Sequence, residues 1–252
     1  MTVPAAPATI GWLAAEFGAP AGVEAGTTTR VGGLSRGSLS SFNLAAHVAD
    51  EPLAVAGNRS RLRAALELPS EPLWLRQVHG AGVAVHDGRA LEPEADAAVS
   101  FEPGRVLAVL TADCLPVALA SGDGTRLGLA HAGWRGLVAG VLERTVAALG
   151  VPGAELVAWL GPAIGAAAFE VGGEVRAAFV AAEPADAVAF RPNERGRWQA
   201  DLYALARARL ARLGVTRVAG GGECTFTDAG RFYSHRRDPR GGRMATLLWR
   251  GA

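Results

Sequence analysis

Three short polar segments carry the residue types best suited to chemistry, and each of them follows an apolar run. They are residues 77–79 (QVH), 111–114 (TADC) and 131–136 (HAGWRG). Strand ends are rigid platforms where loops converge, so side chains that are distant in sequence can meet there. His79, Cys114 and His131 together offer two imidazoles and a thiol, which are ligands that suit zinc. Three protein ligands leave a fourth position open, as is typical of a catalytic metal site.

The spacing of these residues leaves a second interpretation open. No two of them have the CxxC or HxxxH spacing that local geometry would force together. The alternative is a buried apolar Cys114 with two hydrogen-bonded histidines. Asp113, next to Cys114, favours a metal: near an ion it adds negative charge or orients water, whereas without one it raises the pKa of the thiol and weakens the nucleophile. We therefore predict catalytic roles for Cys114 and Asp113.

Three further side chains are candidate substrate contacts. Arginine suits phosphate oxygens and amides suit the hydroxyl groups of a ribose, which predicts substrate binding by Asn43, Arg59 and Gln77. Each of them is equally suited to a structural hydrogen bond. Glu170 is a candidate for proton transfer, with a solvated carboxylate at a helix start as the alternative. Arg236 and Arg237 either contact phosphate or are surface charges.

Composition indicates a globular protein that acts on a small molecule. The chain has 252 residues, of which 50% are hydrophobic and 19% charged, so it can bury a core without disulfides. A formal net charge of +1 provides no global field to attract nucleic acid or a membrane surface. No repeat or linker divides the sequence, which predicts one domain over residues 1–252 with a core at about 25–250.

The N-terminal residues predict a cytoplasmic location. Residues 1–17 have no basic n-region, and no run of 18 apolar residues occurs that would span a membrane. The sequence predicts no membrane partner and no particular oligomeric state.

Hydrophobic periodicity predicts a mixture of strands and helices. Strands are expected at 23–30, 73–79, 83–86, 105–111, 115–120, 127–130, 156–160, 217–219 and 244–249. Helices are expected at 51–66 with Asp50 as the cap, over a single apolar face at 137–149, at 173–182, and after Asp201 as a second cap. The order is mixed, so we predict an α+β single domain with mixed β-sheet flanked by helices.

Ten short motifs, in order, resemble the YfiH-like, laccase-domain family. They are GGLSRG (32–37), FNL (42–44), NR (58–59), QVHG (77–80), TADCLPV (111–117), HAGWRG (131–136), GPAIG (161–165), CT (224–225), FYSHRRD (232–238) and GR (242–243). The resemblance spans residues 25–250, and His235 stands where the family pattern has Tyr.

The resemblance implies a zinc site made by His79, Cys114 and His131 in an α/β sandwich-like domain. It also implies an activity, because the family has been assigned purine nucleoside phosphorylase, adenosine deaminase and methylthioadenosine phosphorylase reactions. Some members are described as cytoplasmic editors of peptidoglycan precursors, and an older name is multicopper polyphenol oxidase.

These implications lead to a ranked set of hypotheses. The leading one is a zinc-dependent enzyme whose small-molecule substrates are a purine nucleoside and phosphate, with Arg59 as the anion contact. The alternative is a cytoplasmic amidase that edits peptidoglycan precursors, with Cys114 as nucleophile and His131 as base. A multicopper oxidase is disfavoured because five histidines are too few for its clusters, although one copper ion would suit the same three ligands. A non-enzymatic binding module is the remaining class.

Overall fold

Two β-sheets pack face to face at the centre of the fold, and helices cover the outer face of each sheet. This arrangement comes from a computed structural model, which describes residues 9–89 and 92–251. Both ends of the predicted 1–252 unit therefore lie outside the described residues. The prediction of a single mixed α/β domain is confirmed.

The described residues form thirteen strands and five α-helices. The strands are β1 (Trp12–Ala14), β2 (Val23–Thr28), β3 (Val83–Val85), β4 (Ala97–Ser100), β5 (Val106–Thr111), β6 (Leu115–Ser121), β7 (Leu127–Ala132), β8 (Leu156–Leu160), β9 (Glu170–Val171), β10 (Phe190–Pro192), β11 (Trp198–Ala200), β12 (Arg217–Gly220) and β13 (Met244–Arg250). The helices are α1 (Pro52–Ala65), α2 (Trp134–Val138), α3 (Val141–Leu149), α4 (Gly173–Ala182) and α5 (Leu202–Arg212).

The two large sheets differ in their pairing. The first has the order β1-β2-β13-β5 and is antiparallel throughout. The second has the order β12-β8-β6-β7-β4-β3 and is mixed, since β12 runs parallel to β8 and β3 parallel to β4. A small third sheet has the order β10-β11-β9. Consecutive strands β5 and β6 lie in different large sheets, so residues 112–114 carry the chain from one sheet to the other.

The alternation of side chains along β5 builds two layers of the core. Val106, Ala108 and Leu110 pack toward α1, where Leu62 is fully buried. Leu107 points the other way and packs between the sheets. Because successive side chains of a strand face opposite sides, one apolar strand can serve both layers. The far face of the second sheet is covered by apolar residues of α3, α4 and α5.

Most predicted strands are confirmed to within a few residues, but residues 73–79 do not form one. That segment makes isolated bridges, between Leu73 and Leu107 and between Arg76 and Glu94. It runs beside β5 without a continuous ladder, and the side chain of Gln77 replaces part of that ladder by bonding the backbone of Leu110. Strands β1, β4, β9, β10 and β11 were not predicted, and all five have only two to four residues.

Two helix predictions were wrong in detail. Asp50 does not cap α1: the N-cap is Glu51, and the carboxylate of Asp50 is used by Ser35 and Asn43. The single helix expected at 137–149 is split into α2 and α3, because Gly140 adopts a φ of 84° that a continuing helix does not tolerate. Helix α4 matches its prediction, and Asp201 caps α5 by accepting from the Ala204 amide.

No helix among residues 9–89 and 92–251 is long and apolar enough to cross a membrane.

Candidate active site

Three different chain segments bring His79, Cys114 and His131 together. His131 lies on β7, and the β6–β7 register places it opposite Pro116, two residues after Cys114. His79 ends the segment that runs beside β5. Their potential ligand atoms all lie within 4.8 Å of one another. The predicted cluster therefore forms where the chain passes between the two sheets.

Asp96 connects two members of this cluster. The β4–β7 register sets Ala97 opposite Ala130, so Asp96 lies beside His131. Its carboxylate accepts from Nδ1 of His131 at 2.8 Å and from the backbone amides of His79 and Gly80 at 2.9 and 2.6 Å. This contact leaves Nε2 of His131 available to the cluster. A carboxylate behind a histidine ligand fixes the ring and its tautomer.

Two residues of the site adopt left-handed backbone conformations that non-glycine residues rarely take. His79 has a φ of 60° and Asp113 a φ of 88°. The three hydrogen bonds from amides 78–80 to Asp96 hold the first. Asp113 is held because its carboxylate accepts from Thr225 Oγ1, Ser234 Oγ and the Arg236 amide at 2.6, 3.0 and 2.7 Å. Such conformations persist where the surrounding structure imposes them, and they cluster at functional sites.

Gly133 leaves the room that the thiol occupies. A Cβ atom at this position would lie 2.7 Å from Sγ of Cys114 and 3.7 Å from Cδ2 of His79. Any side chain here would displace the sulfur, so the glycine of the HAGWRG motif is required by close approach.

Charges within the cluster favour a thiolate. Burial raises the pKa of Cys114, but this is outweighed by charge and hydrogen bonding from His131 and then His79, so that the net pKa is lowered. Burial alone lowers the pKa of His131, whereas Cys114 and Asp96 raise it to a net value above its usual range. The thiolate is the form of cysteine that binds metals.

These features fit a metal ion. Two imidazoles and one thiolate form the donor set, one histidine has a carboxylate behind it, and a glycine leaves the space beside the sulfur clear. Both cysteines of the chain are free of disulfides.

The cluster lines a cavity of about 800 Å³. Five arginines share its wall with two carboxylates, Glu92 and Asp113. The arginines are Arg59, Arg76, Arg135, Arg236 and Arg243. Apolar and aromatic surface is supplied chiefly by Trp74, Trp134 and Phe169. A cavity of this size with an excess of arginine suits an anionic or phosphate-containing ligand that also has a flat apolar part.

Two of the three predicted substrate contacts line this cavity. Gln77 does so, although both ends of its amide bond the backbone of Leu110. Arg59 lines it with its guanidinium 4.0 Å above the ring of Trp74, its Nε on the Leu44 carbonyl, and Nη1 3.8 Å from Glu92.

Asn43 lies outside the cavity wall and is fully buried. Its Nδ2 donates to Asp50 and to the Ala45 carbonyl, and its Oδ1 accepts from the amides of Ala45 and Arg243. All four of its hydrogen-bonding positions are therefore used within the protein. In this geometry Asn43 positions the backbone of Arg243.

The remaining candidates, Glu170, Arg236 and Arg237, differ in whether they line the cavity. Glu170 lies on β9 rather than at a helix start, where its carboxylate accepts from Asn193 and pairs with Arg195. Arg237 donates to three backbone carbonyls, which gives it a structural role. Arg236 does line the cavity, with its guanidinium near Phe169.

Sequence reasoning missed Asp96 and Arg243. Asp96 precedes the short strand β4, which itself was not predicted, so nothing indicated that it would face His131. Arg243 belongs to the GR motif at 242–243 and could have been singled out from it. His47, which is not among the candidates predicted from the sequence, also lines the cavity.

Fold and site together define a class of proteins in which a His-Cys-His cluster lies where the chain crosses from one packed sheet to the other. A family model described as multi-copper polyphenol oxidoreductase laccase matches residues 24–251, and the chain belongs to this family. The expected YfiH-like membership is confirmed.

Named relatives cover nearly the whole chain. A Pseudomonas aeruginosa protein named purine nucleoside phosphorylase is 56% identical over 94% of this chain and 98% of its own length. The Escherichia coli protein named purine nucleoside phosphorylase YfiH is 50% identical over 91% of this chain and 95% of its own length. A crystal structure of a Neisseria meningitidis protein superposes with a TM-score of 0.92 at 46% identity, covering 96% of this chain and 99% of that one.

Proposed function

We propose that this chain is a zinc-dependent purine nucleoside phosphorylase. The observation that carries the proposal is the His79–Cys114–His131 cluster in the wall of an arginine-rich cavity. The relatives named as purine nucleoside phosphorylases support it. The resemblance also implied adenosine deaminase and methylthioadenosine phosphorylase activities. We propose adenosine and methylthioadenosine as further substrates that bind in the same cavity.

Zinc is the metal we propose for the cluster. Two imidazoles and a thiolate are borderline to soft ligands, which suit zinc, whereas the same set also accommodates one copper ion. Held by His79, Cys114 and His131, zinc would supply Lewis-acid stabilisation of charge on an oxygen of the reactants.

The reaction requires the chain itself to bind the phosphate and to bind the purine base. In phosphorolysis an oxygen of phosphate forms a bond to C1′ of the ribose, and the C1′–N bond breaks with its electron pair leaving on the purine. The arginines of the cavity bind and orient the phosphate, which must be held in line with the bond that breaks. Trp74, Trp134 and Phe169 offer apolar surface for the flat base.

Individual roles follow from the contacts. We propose that Cys114 and His131 act with His79 as metal ligands, and that Asp113 acts through the loop that carries Cys114. Arg59 is proposed as an anion contact. Gln77 is proposed as a substrate contact through the amide N–H and the oxygen lone pair that do not bond the Leu110 backbone. The amidase alternative is not favoured, because the relatives are named for nucleoside phosphorolysis. A cytoplasmic location stays a prediction.

The test is a turnover assay on the purified protein with inosine, adenosine and methylthioadenosine, each with and without phosphate. Phosphorolysis predicts free base together with ribose 1-phosphate (or its methylthio counterpart), only when phosphate is present. Release of base at the same rate without phosphate refutes phosphorolysis. Inosine formed from adenosine identifies deamination, and elemental analysis of the same preparation identifies the metal.

A further inference from the structure

The five cavity arginines differ in what else they contact. Four of them are engaged by a carboxylate or an aromatic ring of the described residues. These pairs are Arg59 over Trp74, Arg76 with Glu94 at 2.7 Å, Arg135 over Trp134 and Arg236 over Phe169. Arg243 alone has neither a carboxylate within 4.0 Å nor an aromatic ring beneath it among residues 9–89 and 92–251. Arg135 and Arg236 also have no carboxylate partner, but each guanidinium lies over an aromatic ring, so Arg243 is the one cavity arginine that neither kind of side chain engages in the described protein.

The backbone of Arg243 is held rigidly. Its amide donates to Oδ1 of Asn43 at 3.0 Å, and its carbonyl accepts from the Leu44 amide at 3.3 Å. The preceding Gly242 is packed so closely that a Cβ atom there would lie 2.8 Å from the Tyr233 ring and 2.9 Å from Cβ of Asn43. Such packing fixes where the arginine leaves the chain.

The guanidinium is anchored at one corner only. Nη1 donates to the carbonyls of Gly241 and Gly242 at 2.7 and 3.1 Å. Nε and Nη2 have no partner within the described part of the chain, and Arg243 lines the cavity while half-buried. An arginine held in this way keeps donors for a second acceptor, and a partly desolvated charge binds an anion more strongly than an exposed one.

The charge of Arg243 also lies near the cluster. Burial lowers the pKa of Arg243, while Cys114 and Asp113 act in the opposite direction, so both are within electrostatic reach. Burial lowers the pKa of His47, and the charges of Arg243 and Arg59 lower it further, so both arginines are within electrostatic reach of His47.

We propose that Arg243 is the principal oxyanion-binding residue of the cavity and holds inorganic phosphate beside the His79–Cys114–His131 cluster. Its role as the contact for the attacking phosphate rests on the proposed phosphorylase function. Arg243 exchanges no proton in this step; it orients the phosphate and offsets its charge as the new C1′–O bond forms.

The test measures phosphate binding directly on the metal-loaded protein, by titration calorimetry with inorganic phosphate, and in parallel the KM values for phosphate and inosine. Arg243→Gln removes the charge, and Arg243→Lys keeps the charge without the fork. Arg105→Gln is a matched control, because Arg105 is a half-buried arginine outside the cavity wall and is paired with Glu102 at 2.8 Å. We expect Arg243→Gln to weaken phosphate binding by roughly 10- to 100-fold, Arg243→Lys to weaken it less, and Arg105→Gln to leave it unchanged.

Several outcomes separate this inference from the proposed function. Unchanged phosphate affinity in Arg243→Gln overturns the inference, even if the parent protein cleaves inosine with phosphate. Loss of metal with normal phosphate affinity after reloading also overturns it, because Arg243 would then only balance the charges of Cys114 and Asp113. Arg243-dependent phosphate binding without any nucleoside cleavage supports the inference and refutes the phosphorylase. If Arg243→Gln does not fold, as judged by circular dichroism, Arg243→Lys decides the question.

Discussion

Oδ1 of Asp96 lies 2.8 Å from Nδ1 of His131, and the same carboxylate accepts hydrogen bonds from the backbone amides of residues 78–80. One buried acid therefore sets the ring of one candidate ligand and the backbone of another. Its pKa is lowered in the folded protein: burial opposes ionisation, but His131 and the amides of Gly80 and Val78 outweigh it. The carboxylate thus remains ionised and able to orient its partners.

The first prediction concerns this acid. Asp96→Asn replaces one carboxylate oxygen by an NH2 group, which donates hydrogen bonds and cannot accept them. The side chain can then no longer accept from His131 and from the amides of residues 78–80 at the same time. We expect metal affinity to fall by roughly 10- to 100-fold, as for other carboxylates behind histidine ligands. Competition against a fluorescent zinc chelator measures it. Asp87→Asn, at an exposed position outside the cavity wall, is the control, and equal affinities in the two variants would contradict the prediction.

The His79–Cys114–His131 cluster could be predicted because its residues belong to distinctive motifs at the ends of apolar runs. Asp96 could not, since it lies beside His131 only because the β4–β7 register sets Ala97 opposite Ala130, and the sequence does not show that register. Periodicity located β5, β6 and β7 because their apolar runs are continuous. It failed at residues 73–79, where side-chain bonds from Gln77 replace a backbone ladder.

Substrate contacts were harder to predict than ligands. Asn43 has the polarity of a ribose contact, but whether its amide is free depends on four partners, including Asp50 and Arg243, that only the fold assembles. Conversely, Arg243 belongs to the GR motif at 242–243, but nothing in the sequence shows which side chains surround it. Among the five cavity arginines of the described structure, it is the one with neither a carboxylate within 4.0 Å nor an aromatic ring beneath its guanidinium.

The second prediction concerns the thiol. Cys114→Ser replaces a soft thiolate by a hydroxyl that remains protonated, so we expect loss of most of the bound metal and of nucleoside cleavage. The far-UV circular dichroism spectrum should change little, because Cys114 lies in the connection between two strands rather than in the core. Cys224→Ser is the matched control, since the Cys224 thiol accepts from the Gly165 amide and is not part of the cluster. Full activity of Cys114→Ser would exclude a catalytic role for the cluster.

The third prediction uses the space beside the sulfur. Gly133→Ala would place a Cβ atom 2.7 Å from Sγ of Cys114, so the thiol must move and metal affinity should fall. Gly173→Ala is the control: it also lies at the start of a helix, and its new Cβ would meet nothing within 4 Å. Metal titration and thermal unfolding are measured for both variants. A normal affinity in Gly133→Ala would mean that the sulfur does not need its present position.

The fourth prediction concerns Arg59, which was predicted from the sequence to contact the anion. Its Nε is used by the Leu44 carbonyl, Nη1 lies 3.8 Å from Glu92, and its face is stacked on Trp74, so less of its charge is free than at Arg243. Arg59→Ala should therefore raise the KM for phosphate by roughly 3- to 10-fold, less than Arg243→Gln, with a smaller change in the KM for inosine. Initial rates at varied phosphate and fixed saturating inosine, and the reverse, give both constants.

Glu92→Gln provides the complementary measurement, because removing the carboxylate frees the charge of Arg59 and should lower the KM for phosphate. If instead Arg59→Ala changes only the KM for inosine, Arg59 and Trp74 contact the nucleoside, and phosphate binding depends on Arg243 without them.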